Sequence, residues 1–369
     1  MAEVDLSALR SNADVLRARL GPGVGILAVV KADAYGHGAV VCARSLERRV
    51  WGFGVSLVEE GVEIRRSGVE SPILVLGAAY GLSHRDVLAY RLTPVLGDVS
   101  DLARFRRAAD ELNQERVDIH LKIDTGMARL GLRPGAELAR FCDALATTKG
   151  LALSGLMTHF ACADDADEGV TRAQLARFEE ARAYLRGRGH DPALVHAANS
   201  AGLVRFPDAR YGLVRPGIAL YGLSPSPTAP IAGLQPVLSL RSRVVALREL
   251  AAGERVSYGG MFSATRPTRV ATVPVGYADG YTRRLSGRAE VLVRGRRCKV
   301  IGAITMDMSL VDVTDLDVCE LGDEVVLLGA QGTERVTAEE LAQRSDTISW
   351  EILSNIGKRV PRSYTGERP

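Results

Sequence analysis

A chain of 369 residues with 46% hydrophobic and 25% charged side chains can bury a sizeable core and predicts a globular protein of two domains. Its formal net charge of +3 is too small and too scattered to form a basic stripe, so nucleic acid is excluded as the main partner and small-molecule chemistry is favoured. There is no bilayer-length apolar run, no basic and apolar leader, and no C-x-x-C pair among Cys42, Cys142, Cys162, Cys298 and Cys319, so a cytoplasmic protein is expected, without a membrane partner, disulfide framework or zinc site.

From residue 25 to about 222, short apolar runs alternate with amphipathic helical patterns, the signature of a parallel sheet covered by helices. Eight such runs (Gly25–Lys31, Phe53–Ser56, Ile73–Gly77, Thr93–Leu96, Asp118–Ile123, Leu153–Thr158, Leu194–Ala198 and Leu213–Tyr221) have the spacing of a (β/α)8 TIM-like barrel. Between them, Val99–Leu112 is a typical helical segment, with Leu102, Phe105, Ala109 and Leu112 near helical period. The proline-rich stretch Leu223-Ser224-Pro225-Ser226-Pro227-Thr228-Ala229-Pro230 predicts a stiff linker, with the boundary near residue 232. Residues 233–369 then read as a mostly antiparallel β domain, with strands at Val237–Leu247, Arg269–Val275, Ala289–Val293, Lys299–Ala303, Ser309–Val313 and Glu324–Leu328. Its last element opens with the capping-box pattern Thr337-Ala338-Glu339-Glu340 and is expected to run as one helix to about Ile356. Arg294-Gly295-Arg296-Arg297 reads as a solvated hairpin turn, and Trp51 and Trp350 as packing residues.

Only five of the 47 basic residues are lysines (Lys31, Lys122, Lys149, Lys299 and Lys358), and Lys31 ends the first barrel strand, where catalytic groups of such barrels collect. Arginine cannot replace lysine as the free amine that attacks a carbonyl. The same end of the barrel is expected to carry Lys122 and Arg129 after strand five, His159 after strand six, Asn199 and Ser200 after strand seven, and Arg215-Pro216-Gly217 in strand eight. Each has a plainer alternative: a snorkelling lysine, a satisfied core histidine, a rim ion pair, a helix cap. Their convergence suits a cofactor with an aldehyde and a phosphate, pyridoxal 5′-phosphate (PLP), which needs a deprotonated lysine and backbone N–H groups around a phosphate. The six histidines lack the spacing of a metal site, and Gly21-Pro22-Gly23-Val24-Gly25 precedes its strand and lacks the dinucleotide pattern.

With these residues in place, the sequence resembles the alanine racemase family, through Val29-Val30-Lys31-Ala32-Asp33-Ala34-Tyr35-Gly36-His37-Gly38 and Lys122-Ile123-Asp124-Thr125-Gly126-Met127. Further matches, in family order, are Thr158-His159-Phe160, Ala198-Asn199-Ser200, Arg215-Pro216-Gly217-Ile218, Ser257-Tyr258-Gly259, Gly276-Tyr277-Ala278-Asp279-Gly280-Tyr281, Thr305-Met306-Asp307 and Arg359-Val360-Pro361-Arg362-Ser363-Tyr364. The resemblance implies a fold-type III PLP enzyme that interconverts L- and D-alanine by two bases, supplies D-alanine for peptidoglycan, and works as a homodimer with active sites shared between chains. By the same resemblance, Lys31 carries the cofactor and acts on one face of the substrate carbon, while Tyr258 of the partner subunit serves the other. Tyr35, Ser200, Gly217, Ile218 and Tyr364 are implied to bind the phosphate, His159 to neighbour the catalytic tyrosine, Arg215 to bond the ring nitrogen, and Asn199 to belong to the cofactor site. Arg129 and Met306 would meet the substrate carboxylate, Tyr277 would line the entrance, Asp307 would lend support, and Lys122 is a candidate for carbamylation. Departures from the family pattern are Ala128 where glycine is common, Gly260 and Met261 after Tyr258-Gly259, and Thr282 after the Gly276–Tyr281 motif; they leave loop geometry and dimer strength open.

Other readings are a serine or broad-specificity racemase of the same fold, a non-catalytic PLP-binding protein, and a basic amino-acid decarboxylase. The decarboxylase needs a catalytic cysteine, whereas Cys319 reads as part of a surface turn; the carrier lacks the second domain. The substrate pocket is expected to be closed to large side chains by Tyr277, Tyr364 and the Met306 loop.

Overall fold

The computed structural model describes residues 1–80, 83–226 and 230–366. Pro227, Thr228 and Ala229 of the proline-rich stretch lie outside the described residues. The chain divides into two compact units, one of residues 8–34 and 39–235, the other of residues 1–7, 35–38 and the chain from Pro236 onward.

The apolar runs of the first unit form eight parallel strands: Gly25–Val29, Gly52–Val55, Ile73–Val75, Thr93–Leu96, Val117–Lys122, Leu151–Met157, Leu194–His196 and Leu213–Val214. The first seven pair in parallel in chain order, and Gly25–Val29 pairs with Leu213–Val214. The remaining seam is bridged by the N–H of Gly212 on the carbonyl of Val195 (3.2 Å) and of Arg215 on that of Ala198 (2.9 Å). Leu27, Leu74, Val95, Met157 and Leu213 form a buried interior cluster against which Trp51 and Leu76 pack. Burying each leucine stabilises the barrel by roughly 1.5–3 kcal/mol. Outside the sheet, helix Ser100–Glu111 buries Leu102, Phe105 and Ala109, the apolar face its periodicity predicts.

Several boundaries differ from the sequence reading. The eighth strand stops at Val214, because Pro216 has no N–H to extend a ladder, and Ile218–Tyr221 is a short 3-10 helix ended by Gly222 at φ 89°. The first strand stops at Val29, before Lys31.

Strand Val117–Lys122 shifts register against Leu151–Met157 after Ile119, which sets His120 opposite Gly155. A Cβ on Gly155 would lie 2.3 Å from the His120 ring, so only glycine leaves the imidazole its place.

In the second unit, strands Leu238–Arg243, Ala246–Leu250, Thr268–Val273, Glu290–Val293, Arg296–Ile301, Ser309–Asp312 and Glu324–Gln331 pair antiparallel. The opening strand Ala2–Asp5 joins this sheet, antiparallel to Leu238–Arg243 and parallel to Arg362–Thr365. Arg294 (φ 51°) and Gly295 (φ 76°) make the expected hairpin turn, but its arginines are ion-paired as well as solvated: Arg294 with Glu320 and Asp323, Arg297 with Glu290, Glu334 and Glu340. Thr337 does cap a helix, accepting from the N–H of Glu340 (3.1 Å). That helix ends at Arg344, and a second runs over Ser349–Ser354, because Asp346 at φ 56° interrupts the helical path. Cys319 is buried rather than a surface residue.

Gly155→Ala should lower stability by about 1–3 kcal/mol through overpacking against His120. Thermal unfolding measures it; an unchanged transition would mean that the ring can move aside.

Candidate active site

Lys31 follows Val30, whose N–H bonds the carbonyl of Gly54 (2.9 Å) at the end of the neighbouring strand. The chain then turns through four left-handed residues, Ala32, Asp33, Ala34 and Tyr35 (φ 52–55°), before Gly36. Each such L-residue costs roughly 1–2 kcal/mol, so the turn persists only where its surroundings hold it. Ala34 N–H bonds the Val30 carbonyl (2.9 Å), Asp33 accepts from Ala39 N–H (2.8 Å), and Glu60 Oε1 accepts from Ala32 N–H (2.6 Å). Burial lowers the Lys31 amine from its ordinary value, the charge of Arg129 lowers it further, and Glu60 pulls it back up.

Arg215 is buried among main-chain carbonyls. Its Nη1 donates to the carbonyl (2.8 Å) and Nδ1 (3.1 Å) of His196; its Nη2 donates to the carbonyls of Thr158 (2.7 Å) and Ala197 (2.9 Å) and faces Nδ1 of His159 (3.3 Å). Nε–H takes no partner among the described residues and is the donor left for a ligand. Burial pulls the guanidinium down to about 9, still charged at neutral pH. An arginine can only donate, so Nδ1 of His196 must accept. The proton of neutral His196 is then on Nε2, 2.9 Å from Nδ1 of His120. The plainer reading of Arg215 as a rim ion pair is excluded, since no carboxylate meets it among the described residues.

Lys122 ends the fifth barrel strand, two residues beyond His120 and therefore on the same side of it. Burial, then Arg129 and Arg215, pull its amine down to about 8. Arg129 follows a loop knitted by Asp124, whose Oδ1 accepts from the N–H groups of Gly126, Met127 and Ala128 (2.9–3.0 Å). Ala128 sits at φ 56°, where the family's commoner glycine carries no penalty, and these bonds offset its strain. His159 is fixed through its carbonyl, which accepts from Gln174 Nε2 (3.1 Å); Gln174 also bonds Ala161 N–H and Thr125. Burial and then the charge of Arg215 hold His159 far below its usual range, so it is neutral. Among the described residues, Lys31, Lys122, Arg129 and Arg215 form no ion pair, leaving concentrated positive charge that Glu60 at Lys31 and Asp124 at Lys122 offset only in part.

Asn199, not Ser200, caps helix Ser200–Arg205, accepting from Gly202 N–H (2.9 Å). This frees Ser200, whose Oγ accepts from the N–H of Gly217 (3.0 Å) and more weakly Ala219 (3.5 Å), flanking Ile218. A hydroxyl and adjacent amides at the ends of the last two barrel strands are a fitting donor set for a phosphate. With a lowered amine, uncompensated cations and the Nε–H of Arg215, the residues present fit PLP.

The second unit carries the other candidates. Tyr258 is displayed at a turn with Ser257 at φ 65° and Gly259 at φ 71°, and the residue is 73% exposed. Ser257 Oγ anchors this turn on the Ala303 carbonyl (2.7 Å). Ser257, Tyr258, Thr305, Met308 and Leu310 line a cavity of about 310 Å³. Tyr277 and Met306 are exposed on two loops stitched by Tyr277 N–H to the Thr305 carbonyl (3.0 Å) and Ala278 N–H to the Met306 carbonyl (3.1 Å). Arg359 ties the loops together, bonding Asp279 (2.7 Å) and Asp307 (2.6 Å), so Asp307 acts here as an ion-pair partner. The hydroxyl of Tyr364 lies against Gly38, where a Cβ would be 2.0 Å from it, and burial pushes the Tyr35 phenol up to about 12. The sequence reading missed Glu60, His120, Gln174, His196 and Arg359. Two of them carried a signal, His120 by its two-residue offset from Lys122 and Arg359 by opening the last motif.

The chain compares with known proteins throughout. Residues 4–225 match the family model "Alanine racemase, N-terminal domain" and residues 237–364 "Alanine racemase, C-terminal domain". The alanine racemase of Symbiobacterium thermophilum is 47% identical over 368 residues, covering 99% of this chain and 97% of that protein. That of Sorangium cellulosum is 45% identical, covering 98% of each. Among solved structures, alanine racemase from Streptomyces coelicolor A3(2) superposes with a TM-score of 0.95 at 39% identity, over 99% of this chain and 98% of that one. The enzyme from D-cycloserine-producing Streptomyces lavendulae gives 0.94 at 38%, over 100% and 97%. Fold and site define an amino-acid racemase built on a parallel barrel and a β domain. The chain belongs to the alanine racemase family.

The buried histidines make stability depend on pH. Burial pulls His120 down to about 4, and His159 and His196 are also lowered. Unfolded, each takes a proton near 6.5; folded, each resists it, so stability is fully present above about pH 6.5 and is lost as pH falls toward 4. His120 alone accounts for about 3 kcal/mol. Urea unfolding along a pH series should show the loss beginning above the carboxylate range; a midpoint constant from pH 7 to 5 would contradict it.

Proposed function

We propose that the protein is a PLP-dependent racemase that interconverts L- and D-alanine by two bases on opposite faces of the α-carbon. The observation that carries this reading is the set of Lys31, Lys122, Arg129 and Arg215 with no ion-pair partner among the described residues, a site built for an anionic cofactor and a carboxylate substrate. Bound at Lys31, PLP supplies an electron sink that acidifies the α-carbon. Lys31, its amine lowered, takes or returns the proton on one face. Arg215, with its Nε–H left as a donor, would hold the ring nitrogen of the cofactor, and a guanidinium there would disfavour protonation of that nitrogen and so limit side reactions. The Ser200 hydroxyl and the amides of Gly217 and Ile218 would hold the phosphate, the Gly217 N–H exchanging its bond to Ser200 Oγ for the ligand, with Asn199 fixing the turn that presents Ser200. Tyr35 and Tyr364 complete the phosphate set by the family pattern. Arg129, aided by Met306, orients the substrate carboxylate.

The opposite face falls to Tyr258 of the partner subunit in a homodimer, which gives a purpose to an aromatic residue left 73% exposed. His159 accepts from Arg215 at Nδ1, so its proton is on Nε2, ready to stabilise a phenolate. In this division residues 1–232 bind the cofactor and residues 233–369 present Tyr258, Tyr277 and Met306 to the partner. The product would supply peptidoglycan synthesis in the cytoplasm; no helix among the described residues is long and apolar enough to cross a membrane. A neutral Lys122 amine can also attack carbon dioxide, forming an N–C bond and releasing a proton. The carbamate anion would pair with Arg129, and a carbon-13 carbamate signal from labelled bicarbonate, lost in Lys122→Ala, tests for it.

The direct test incubates PLP-loaded protein in D₂O with L-alanine, L-serine or L-lysine. Alanine should racemise fastest and gain deuterium at Cα; faster serine or lysine turnover would change the substrate, and released carbon dioxide would change the reaction. Lys31→Ala should lose cofactor linkage and racemisation together, and Tyr258→Phe should lower kcat at least about 100-fold with PLP retained.

A further inference from the structure

Glu60 lies in the first turn of helix Val58–Arg66, where a carboxylate is common. It does more than close that helix. Oε2 accepts from the N–H groups of Ser56 (2.8 Å) and Leu57 (3.0 Å), just past the second barrel strand, while Oε1 accepts from the N–H of Ala32 (2.6 Å). Ala32 follows Lys31 directly and is the first residue of the left-handed turn. One side chain thus joins two barrel strand ends through three amide donors divided between its two oxygens. Glutamine could offer an acceptor on one oxygen only and would turn an NH₂ group toward an N–H. Aspartate, one methylene shorter, would keep the charge but lose the reach.

We infer that Glu60 is a positioning residue for Lys31: it pins the amide after the lysine to the neighbouring strand and sets a negative charge beside an amine otherwise surrounded by cations. The charged and titratable groups that act on the Lys31 amine or feel its charge are Glu60 from helix Val58–Arg66, Arg129 from the loop after the fifth strand, Lys122 from that strand, and His159 after the sixth. Arg129 is cationic, Lys122 is cationic as the free amine and His159 is neutral, so with Lys122 unmodified Glu60 alone in this set favours a protonated Lys31. Such a balance suits a lysine that must both lose and regain a proton.

The assignment rests on Lys31 being the reactive lysine. The test follows modification of Lys31 by an amine-reactive reagent against pH in the full chain before PLP is added, read by peptide mass, together with kcat and KM after loading. Glu60→Gln should move the modification midpoint to lower pH and lower kcat about ten- to a hundredfold, with KM changed less than about threefold. Glu59→Gln, an equal loss of charge from the same helical turn but at an exposed residue, should leave both unchanged. If Glu60→Gln does not fold, Glu60→Asp decides: kcat should fall while the midpoint stays near that of the wild type. A Glu60→Gln midpoint equal to the wild type, or Glu60→Asp matching the wild type in both readouts, would overturn the assignment. Failure of the wild-type Lys31 to take up PLP would instead overturn the reading on which it rests.

Discussion

A guanidinium buried without a carboxylate is the constraint around which the barrel end is arranged. Arg215 carries its charge into a region where an unpaired ion is costly, and what offsets that cost is main chain: the carbonyls of Thr158, His196 and Ala197 all turn toward it. These carbonyls belong to the ends of the sixth and seventh strands. Arg215 is thereby a structural clasp across the seam of the barrel as well as a charge in the site. Its direction of donation propagates outward, leaving His196 and His159 to accept and therefore to be neutral.

The same arrangement explains why the site attracts what it does. Burial first, and then the positive charge gathered here, depresses the amines of Lys31 and Lys122, and the same charge favours anions, so the setting that makes the lysines reactive also recognises the ligand. Strain is concentrated here too, in the left-handed turn after Lys31 and at Ala128, and in both places a carboxylate collecting amide N–H groups offsets it. The second unit shows a parallel device, with Arg359 and two aspartates fixing the loops that carry Tyr277 and Met306.

Much of this was legible in the sequence. Alternation of apolar runs and helical patterns located every barrel strand, because burial on both faces demands continuous Val, Ile and Leu. The ends were less legible: the eighth run continues apolar through Tyr221, yet Pro216 ends the pairing at Val214. The final helix reads as continuous in the sequence because nothing in local propensity announces the left-handed Asp346. Lys31, Lys122 and Arg215 were visible as rare or charged residues at strand ends. Glu60 and Gln174 were not, since a glutamate in the first turn of a helix and a glutamine within one are ordinary until the fold brings them to Ala32 and His159.

Arg215 dictates the protonation of its histidine neighbours, and nitrogen-15 NMR of the imidazoles at neutral pH reads this directly. His196 and His159 should each show a bare Nδ1 that accepts and a protonated Nε2. A doubly protonated ring, or a proton on Nδ1 of His196, would contradict the account, because Arg215 would then have no acceptor there.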